Sequence, residues 1–289
     1  TANASWSLAA LDRTDGQTTL RATLRLKVRA GAVEKTLRVV DGETALYSRH
    51  VIRGLRGPMS VGHHATLKFP DAPGSGVIST SRLVRAQVMP TDFETPANRG
   101  YSSLKTGATF RSLQRVPLRE GGFADVSRYP ARRGFEDAVM LTADPRGALA
   151  WTAVVFPAEG YVWFSLRDPR QLRHTMLWIS NGGRHYPPWN GRHTGVMGLE
   201  DVTAYFAYGQ AESVGANPLN RRGIPTALKF DPRRPTTVST IMGVAAIPRG
   251  FDRVATIRPV AGGIELAATS GRTVKAPLDL GWLAAAPVA

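Results

Sequence analysis

The stretch Thr19-Leu-Arg-Ala-Thr-Leu-Arg-Leu-Lys-Val28 has the most regular alternation of polar and apolar residues in the chain's first hairpin. Its apolar side chains fall at every second position, from Leu20 to Val28, and charged or hydroxyl side chains occupy the positions between them. Successive side chains of a β-strand point to opposite faces of the sheet. The alternation therefore predicts an antiparallel strand that has one face on a core and the other in solvent.

Segments with the texture of strands continue along the rest of the chain. Residues 33–40 are predicted to be the hairpin partner of the first stretch, and residues 44–55 to follow after the turn Asp41-Gly42. Helices are predicted to be scarce, because 20 prolines and 29 glycines leave few windows of ten residues without a helix breaker. We therefore predict an all-β protein. The further strand candidates are residues 60–69, 77–89, 138–141, 148–156, 161–166, 174–180, 195–208, 236–247, 254–259, 264–268 and 273–276.

The composition excludes several classes of protein. A chain with 43% apolar residues can bury a large core, and the absence of cysteine excludes disulfides, thiolate nucleophiles and cysteine-ligated zinc. The net charge of +15 is scattered in arginine pairs such as Arg132–Arg133, whereas nucleic-acid binders concentrate their charge and interleave aromatic residues with it. We expect no nucleic-acid partner.

One domain is predicted over residues 1–289, with residues 258–289 open to interpretation as an appended edge or tail segment.

Motifs for membranes, metals and cofactors are missing from the sequence. No apolar run approaches eighteen residues, and the first residues lack the basic start and apolar stretch of a signal peptide. The chain has no P-loop, dinucleotide-binding glycine fingerprint, His-Glu-x-x-His site or Gly-x-Ser-x-Gly elbow. We therefore expect no cofactor, no metal and no membrane partner. The compartment, cytoplasmic or periplasmic, is left open.

A histidine pair stands in the segment Gly62-His-His-Ala-Thr-Leu-Lys-Phe-Pro70. Neighbouring side chains of a strand point to opposite faces, so only one of His63 and His64 can face a binding site. The alternative is that both are ordinary hydrogen-bonded histidines of the core or surface. The pair therefore marks this strand as a candidate site without settling its role.

Glu200 is a carboxylate set among apolar residues in Gly195-Val-Met-Gly-Leu-Glu-Asp-Val-Thr-Ala-Tyr-Phe206. It is predicted either to pair with one of the many arginines or to lie desolvated in a pocket. Desolvation would raise its pKa toward the range that suits a general base. Asp201, next in the chain, is predicted to point to the opposite face.

Two further segments carry groups that suit hydroxyl-rich ligands. Glu136 and Asp137 begin an apolar strand, either as turn acids or as acceptors for sugar hydroxyls. Residues 181–192 form a polar, aromatic loop between two apolar strands, either a turn stiffened by proline or a binding loop. Aromatic faces stack on the C–H faces of pyranoses, and polar side chains bind the hydroxyls. Substrate-binding roles are predicted for three residues of this loop: Arg184, His185 and Trp189.

Taken in order, these segments resemble the galactose mutarotase (aldose 1-epimerase) superfamily. The resemblance begins at Asn3-Ala-Ser-Trp6 and is clearest at Gly62-His-His-Ala-Thr66, Gly134-Phe-Glu-Asp137 and Gly198-Leu-Glu-Asp-Val-Thr203. It implies a β-supersandwich of large twisted antiparallel sheets with few or no long helices. It also implies that the partner is a small carbohydrate, either neutral or acidic.

The resemblance assigns roles to three residues. It implies that His64 protonates the ring oxygen of the sugar, that Glu200 takes the proton of the anomeric hydroxyl, and that Asp137 holds the substrate. The expected activity is interconversion of the anomers of a monosaccharide or an acidic sugar by acid/base ring opening. A non-catalytic carbohydrate-binding protein, or a lyase or hydrolase, on the same scaffold is the alternative.

The chain departs from the family's pattern around this histidine. His64 follows another histidine where the family has an asparagine, and it precedes Ala65 where the family has an aromatic pair. The resemblance also implies a second active-site histidine and a sugar-binding arginine upstream of Trp6, and this sequence has no histidine before His50. No position of this chain is assigned to those two roles.

Overall fold

A computed structural model describes residues 4–284, which are built mainly from β-strands. Strands account for 51% of the residues and helices for 5%, which confirms the all-β prediction. No helix within residues 4–284 has the length and apolar character needed to cross a bilayer. The strands are β1 Ser7–Thr14, β2 Gln17–Arg25, β3 Ala32–Val40, β4 Ala45–Arg53, β5 Gly57–Met59, β6 Val61–Lys68, β7 Gly76–Thr80, β8 Leu83–Val88, β9 Thr109–Phe110, β10 Val116–Pro117, β11 Phe123–Ala124, β12 Arg128–Tyr129, β13 Phe135–Ala143, β14 Ala150–Phe156, β15 Tyr161–Arg167, β16 His174–Asn181, β17 Val196–Thr203, β18 Leu228–Phe230, β19 Thr236–Ala246, β20 Val254–Val260, β21 Gly263–Ala268 and β22 Thr273–Pro277. The helical pieces are α1 Gln210–Val214 and the 3₁₀ turns Pro96–Asn98, Asn220–Arg222 and Leu280–Leu283.

Three antiparallel sheets make up the body of the molecule. The nine-stranded central sheet has the order β1-β2-β3-β4-β19-β15-β14-β7-β12. The six-stranded site sheet has the order β6-β17-β16-β13-β8-β9, and the three-stranded outer sheet the order β20-β21-β22. Two short pairs, β10-β11 and β18-β5, are separate from these sheets. The arrangement is the sandwich of large antiparallel sheets that the family resemblance implies.

The central sheet is buried on both faces at β14 and β15, because a sheet covers each side. On one side, Val154 and Phe156 pack against Leu177 and Leu199 of the site sheet. Strands buried on both faces have apolar residues throughout instead of alternating ones. This explains why residues 148–156 form an apolar run in the sequence.

The other face of the central sheet is covered by the outer sheet. Ile257 and Leu266 pack there against Phe164 and Ile241, and Trp282 joins the same cluster. The indole of Trp282 also donates a 3.1 Å hydrogen bond to the carbonyl of Ser48. The segment that follows residue 257 is thus a third packed layer up to residue 284, and residues 285–289 of the predicted tail lie outside the described residues.

The predicted hairpin forms, but its first strand, Gln17–Arg25, ends three residues earlier than predicted. Strands β2 and β3 pair as expected, and Leu24 is buried opposite Val33. The backbone N–H of Leu26 donates to the carbonyl of Gly31, which closes a loop after Arg25. Val28 lies in that loop and is 96% exposed, so its predicted place on the buried face is wrong.

A buried ion pair lies in the core between the central sheet and the site sheet. Arg167 Nη1 lies 2.8 Å from Asp201 Oδ1, and these side chains are 2% and 1% exposed. Asp201 also accepts hydrogen bonds from the hydroxyls of Ser165 at 2.6 Å and Thr175 at 3.0 Å. Arg167 donates through Nε to the carbonyl of Leu172 at 3.0 Å. Asp201 therefore faces the core, as the alternation along its strand predicts.

Candidate functional site

His64 and Glu200 lie side by side on the face of the site sheet that points away from the central sheet. They are direct partners in the register of β6 and β17, whereas their chain neighbours Ala65 and Leu199 face the core. His64 Nε2 lies 3.1 Å from Glu200 Oε1. The side chain of His64 is 54% exposed and that of Glu200 is 15% exposed. The sheet thus presents a contacting imidazole and carboxylate on a face that solvent can reach.

Both ring nitrogens of His64 have partners. Its Nδ1 is hydrogen-bonded to Thr66 Oγ1 at 3.1 Å, and its Nε2 faces Glu200. Thr66 follows His64 at the distance of two residues, so both side chains point to the same face of β6. Burial raises the pKa of Glu200, and the charge of His64 partly opposes the shift. The pair therefore combines an oriented imidazole with a carboxylate that binds a proton more readily than an exposed glutamate.

Trp178 lies at the centre of an aromatic group beside this pair. Its ring centroid is 5.9 Å from that of His64, in an edge-to-face arrangement. Its ring stacks on His193 at 5.4 Å and meets Trp189 edge to face at 6.0 Å. Its indole N–H donates to Glu136 Oε1 at 2.9 Å, which fixes the plane of the ring. Such rings offer a surface on which a pyranose can stack.

Arg184 is held by two buried carboxylates beneath the aromatic group. Its Nε donates to Glu94 Oε1 at 2.6 Å and lies 3.7 Å from Glu136 Oε1. Tyr186 also donates to Glu94 Oε1, at 3.1 Å. Burial raises the pKa of Glu136, and Arg184 opposes that shift. The guanidinium lies 5.3 Å from the ring of Trp178 and 5.1 Å from that of Trp189, so Arg184 fastens the loop to the sheet.

Of the two remaining predicted loop residues, Trp189 lies at the site and His185 does not. Trp189 belongs to the aromatic group, since its ring centroid is 5.0 Å from that of His193. His185 is exposed and has its ring contact with Tyr101, at 5.3 Å, on another side of the loop. The structure therefore does not bring His185 to the group around Trp178.

His193 joins the site although no sequence pattern singles it out. Its Nδ1 is hydrogen-bonded to Ser180 Oγ at 2.6 Å, and its ring contacts the rings of both Trp178 and Trp189. The residue stands at the end of the loop, just before β17, where no strand periodicity applies. Only the pairing of β16 with β17 places it here.

Asp137 lies on the opposite face from His64 and Glu200. Its carboxylate accepts hydrogen bonds from the backbone N–H of Ser103 at 3.0 Å, the backbone N–H of Leu104 at 2.9 Å and the hydroxyl of Ser103 at 2.6 Å. Neighbouring residues of a strand alternate between faces, so Glu136 points to the face that is predicted for Asp137. Asp137 is therefore not beside His64 and Glu200, where the family resemblance places it, and Glu136 lies on their face of the sheet instead.

Replacing Asp137 by alanine is expected to lower stability without a specific loss of sugar affinity. The buried N–H groups of Ser103 and Leu104 would lose their acceptor, which costs on the order of 3 kcal/mol. Urea unfolding measures that loss, and sugar titration of the folded variant measures affinity. Glu136→Gln is the comparison variant, because it changes the carboxylate that holds Trp178 and Arg184. A selective loss of sugar binding in Asp137→Ala, with unchanged stability, would contradict this assignment.

Residues 4–284 contain no group of three or more histidine, aspartate or glutamate side chains placed to hold a metal ion. The titratable side chains of the site are instead joined in pairs, such as His64 with Glu200 and Arg184 with Glu94. The imidazole and carboxylate of the first pair suit proton transfer, and the charged groups of the second pair suit hydrogen bonding.

No family model matches this chain, and no curated protein matches it. Solved structures do match. A candidate aldose 1-epimerase from Escherichia coli K12 superposes with a TM-score of 0.54 at 12% identity, over 84% of this chain and 69% of that chain. A candidate aldose 1-epimerase from Klebsiella pneumoniae gives 0.53 at 12% identity, over 81% of this chain and 52% of that one. A galactose mutarotase-like protein from Lactobacillus casei gives 0.50 at 10% identity, over 83% and 73%.

These likenesses concern the fold. At 10–12% identity they show that the chain has the galactose mutarotase-like fold, which confirms the resemblance and the predicted sandwich class. The chain spans 52% of the length of the Klebsiella protein and 69% of that of the Escherichia coli protein. One fold carries many activities, so chemistry has to be argued from the site.

Proposed function

We propose that the chain is an aldose 1-epimerase-like isomerase that interconverts the anomers of a sugar, with His64 as the acid and Glu200 as the base. The observation that supports this most is the 3.1 Å approach of His64 Nε2 to Glu200 Oε1 on an open face beside Trp178. The burial that raises the pKa of Glu200 suits a base that must accept a proton near neutral pH.

The spacing of the two groups fits the geometry of a hemiacetal. The ring oxygen and the anomeric hydroxyl are bonded to the same carbon atom, so an acid and a base that serve both must be close neighbours. Direct partners on adjacent antiparallel strands are the nearest side chains that a sheet can offer. His64 and Glu200 are such partners.

The reaction proceeds by two balanced proton transfers. Glu200 removes the proton of the anomeric hydroxyl while His64 gives a proton to the ring oxygen, and the bond between C1 and the ring oxygen breaks. Rotation about the bond from C1 to C2 exposes the other face of the aldehyde. Reversal of both transfers closes the ring as the other anomer, and the two groups regain their starting protonation states.

Sugar binding is assigned to the aromatic group and to Lys68. Trp178 and Trp189 are half-buried aromatic rings at this site, and aromatic rings bind the C–H side of a pyranose. Lys68 lies on the same face of β6 as His64 and pairs with the exposed Asp71 at 2.9 Å. A carboxylate on an acidic sugar would compete with Asp71 for this ammonium group.

The proposal is tested by following freshly dissolved anomers by polarimetry or NMR. We expect the protein to accelerate equilibration of at least one member of a panel that includes neutral sugars, uronic acids and sugar phosphates. His64→Ala should lose most of that acceleration. Equal rates with and without the protein across the panel would reject the proposal.

A non-catalytic carbohydrate-binding protein is the second candidate. It is favoured by the contact between His64 and Glu200, because each group satisfies the other without a ligand. This candidate predicts saturable sugar binding, unchanged anomer kinetics, tolerance of His64→Ala and loss of binding in Trp189→Ala. The same titrations and rate measurements therefore separate the two candidates.

A further inference from the structure

A concave groove lies where the central sheet extends beyond β6, the edge strand of the site sheet. We call it the side groove. It encloses about 730 Å³, within the range of small-molecule sites. One wall is the inner face of β2 to β4, and the segment that leads into β6 and the strand β18 close the other sides. His63 lines it, whereas His64 and Glu200 face the opposite side of the site sheet.

The walls of the side groove are largely apolar. Leu24, Val33 and Ile52 form its floor on the central sheet, and Leu55 and Phe230 close the end. These side chains belong to one cluster that is separate from the two cores between the sheets. An apolar cleft of this size is suited to a hydrocarbon chain more than to a hydroxyl-rich sugar.

The border of the groove carries positive charge. Arg25, Lys27 and Arg29 line it, and all three are exposed. No aspartate or glutamate lines the groove, and no ion pair of the described residues involves any of these three cations. An anion at this border would therefore meet three cations that have no acidic partner.

The two histidines that line the groove, His50 and His63, favour their neutral forms. Burial, together with the charges of Lys35 and His63, lowers the pKa of His50 to about 4, so its ring is neutral at neutral pH. Burial also lowers the pKa of His63, and Asp201 partly opposes that shift. Charge is thus confined to the border. The groove therefore complements a ligand that has an apolar chain and an anionic end.

We propose that the side groove binds one molecule of a straight-chain fatty acid. The chain lies against Leu24, Val33 and Ile52, and the carboxylate lies at Arg25, Lys27 and Arg29. This site is independent of the sugar chemistry, because it uses the opposite face of β6.

Fluorescence titration of the full chain with 11-(dansylamino)undecanoic acid tests the proposal. We expect saturable binding of one probe per chain and displacement by laurate. Dodecanol, which has the same chain and no charge, should displace the probe roughly tenfold less well because it lacks the charged end. Absence of saturable binding, or equal displacement by dodecanol, would overturn the proposal.

Charge reversal at the border provides a matched comparison. The triple variant Arg25→Glu/Lys27→Glu/Arg29→Glu should weaken laurate binding by roughly tenfold or more. The control Arg13→Glu/Arg249→Glu/Arg272→Glu makes the same change in net charge at exposed positions outside the groove, and it should bind as the wild type does. Equal weakening in both variants would show attraction by net charge alone and would overturn the site.

A third variant tests the groove itself. Leu26→Trp adds bulk to a half-buried wall residue and should exclude the probe while sugar chemistry is unchanged. The border variants alter exposed side chains only, so they decide the question even where Leu26→Trp fails to fold. Wild-type affinity in a folded Leu26→Trp protein would contradict the assigned position of the chain.

Discussion

Glu200→Gln is expected to lower kcat/KM for anomer interconversion by about two to four orders of magnitude. The amide keeps the size of the side chain and can still contact His64 Nε2, but it cannot accept the proton of the anomeric hydroxyl. Sugar affinity should change little, because the aromatic faces of Trp178 and Trp189 are retained. Polarimetry or NMR exchange measures the rate of anomer interconversion, and sugar titration measures the affinity.

The pH dependence of the rate provides an independent test of the role of Glu200. Glu200 acts as a base only when it is ionised, and burial raises its pKa above that of an exposed glutamate. The rate should therefore fall as the pH drops through this raised pKa, and the acid limb should lie at higher pH than an ordinary glutamate would give. The remaining activity of Glu200→Gln should lack that limb.

Glu265→Gln is the matched control. Glu265 has a side chain as little exposed as that of Glu200, 15%, and it also has a cationic partner, Arg258. It lies in β21 of the outer sheet, on the far side of the central sheet. The control should keep the wild-type rate. A Glu200→Gln protein that is folded and as active as this control would remove the base from the proposed reaction.

The pairing of His64 with Glu200 is only half visible in the sequence. Alternation with the apolar Ala65 and Leu199 is enough to expect that each polar residue points away from a core. What alternation cannot supply is the neighbour in space, because β6 and β17 are far apart in the chain. The expectation of a shared pocket rests on the family resemblance, and the structure supplies the contact.

The structure places Asp137 away from His64 and Glu200, and its strand carries no sequence signal of which face is which. Almost every side chain of β13 is buried, so apolar residues occupy both faces and periodicity cannot distinguish Glu136 from Asp137. Loops cover one face of β13 and the core covers the other, so both faces favour apolar side chains. Only the partners of each carboxylate, Trp178 for Glu136 and Ser103 for Asp137, reveal the two faces.

Edge structure is the least predictable part of the fold. Strand β1 is not among the predicted strands, because its side chains lie largely in solvent and no face requires apolar residues. Strand β14 is predicted from a continuous apolar run, since both of its faces are covered. Burial, more than strand formation as such, therefore controls what can be inferred from the sequence.

Asp201→Ala is expected to destabilise the protein more than any substitution at its surface or in the proposed sugar site. The variant leaves Arg167 buried without its carboxylate partner, and removing one member of a buried pair costs about 3–5 kcal/mol. The charge of Arg167 is already disfavoured by its burial, which lowers its pKa, and Asp201 is the group that opposes this shift. Urea unfolding followed by tryptophan fluorescence measures the loss.

A double variant shows whether the loss comes from the unpaired charge. Asp201→Leu combined with Arg167→Met replaces both ions by apolar side chains, and it should recover most of the stability, because desolvation of the two ions is no longer needed. The surface pair Arg21–Asp12, with both side chains 49% exposed, is the control. Asp12→Ala should cost less than about 1 kcal/mol, because solvent screens an exposed pair. If the double variant is no more stable than Asp201→Ala, the pair holds the two sheets in place by its specific geometry, and the charge of Arg167 alone does not explain the loss.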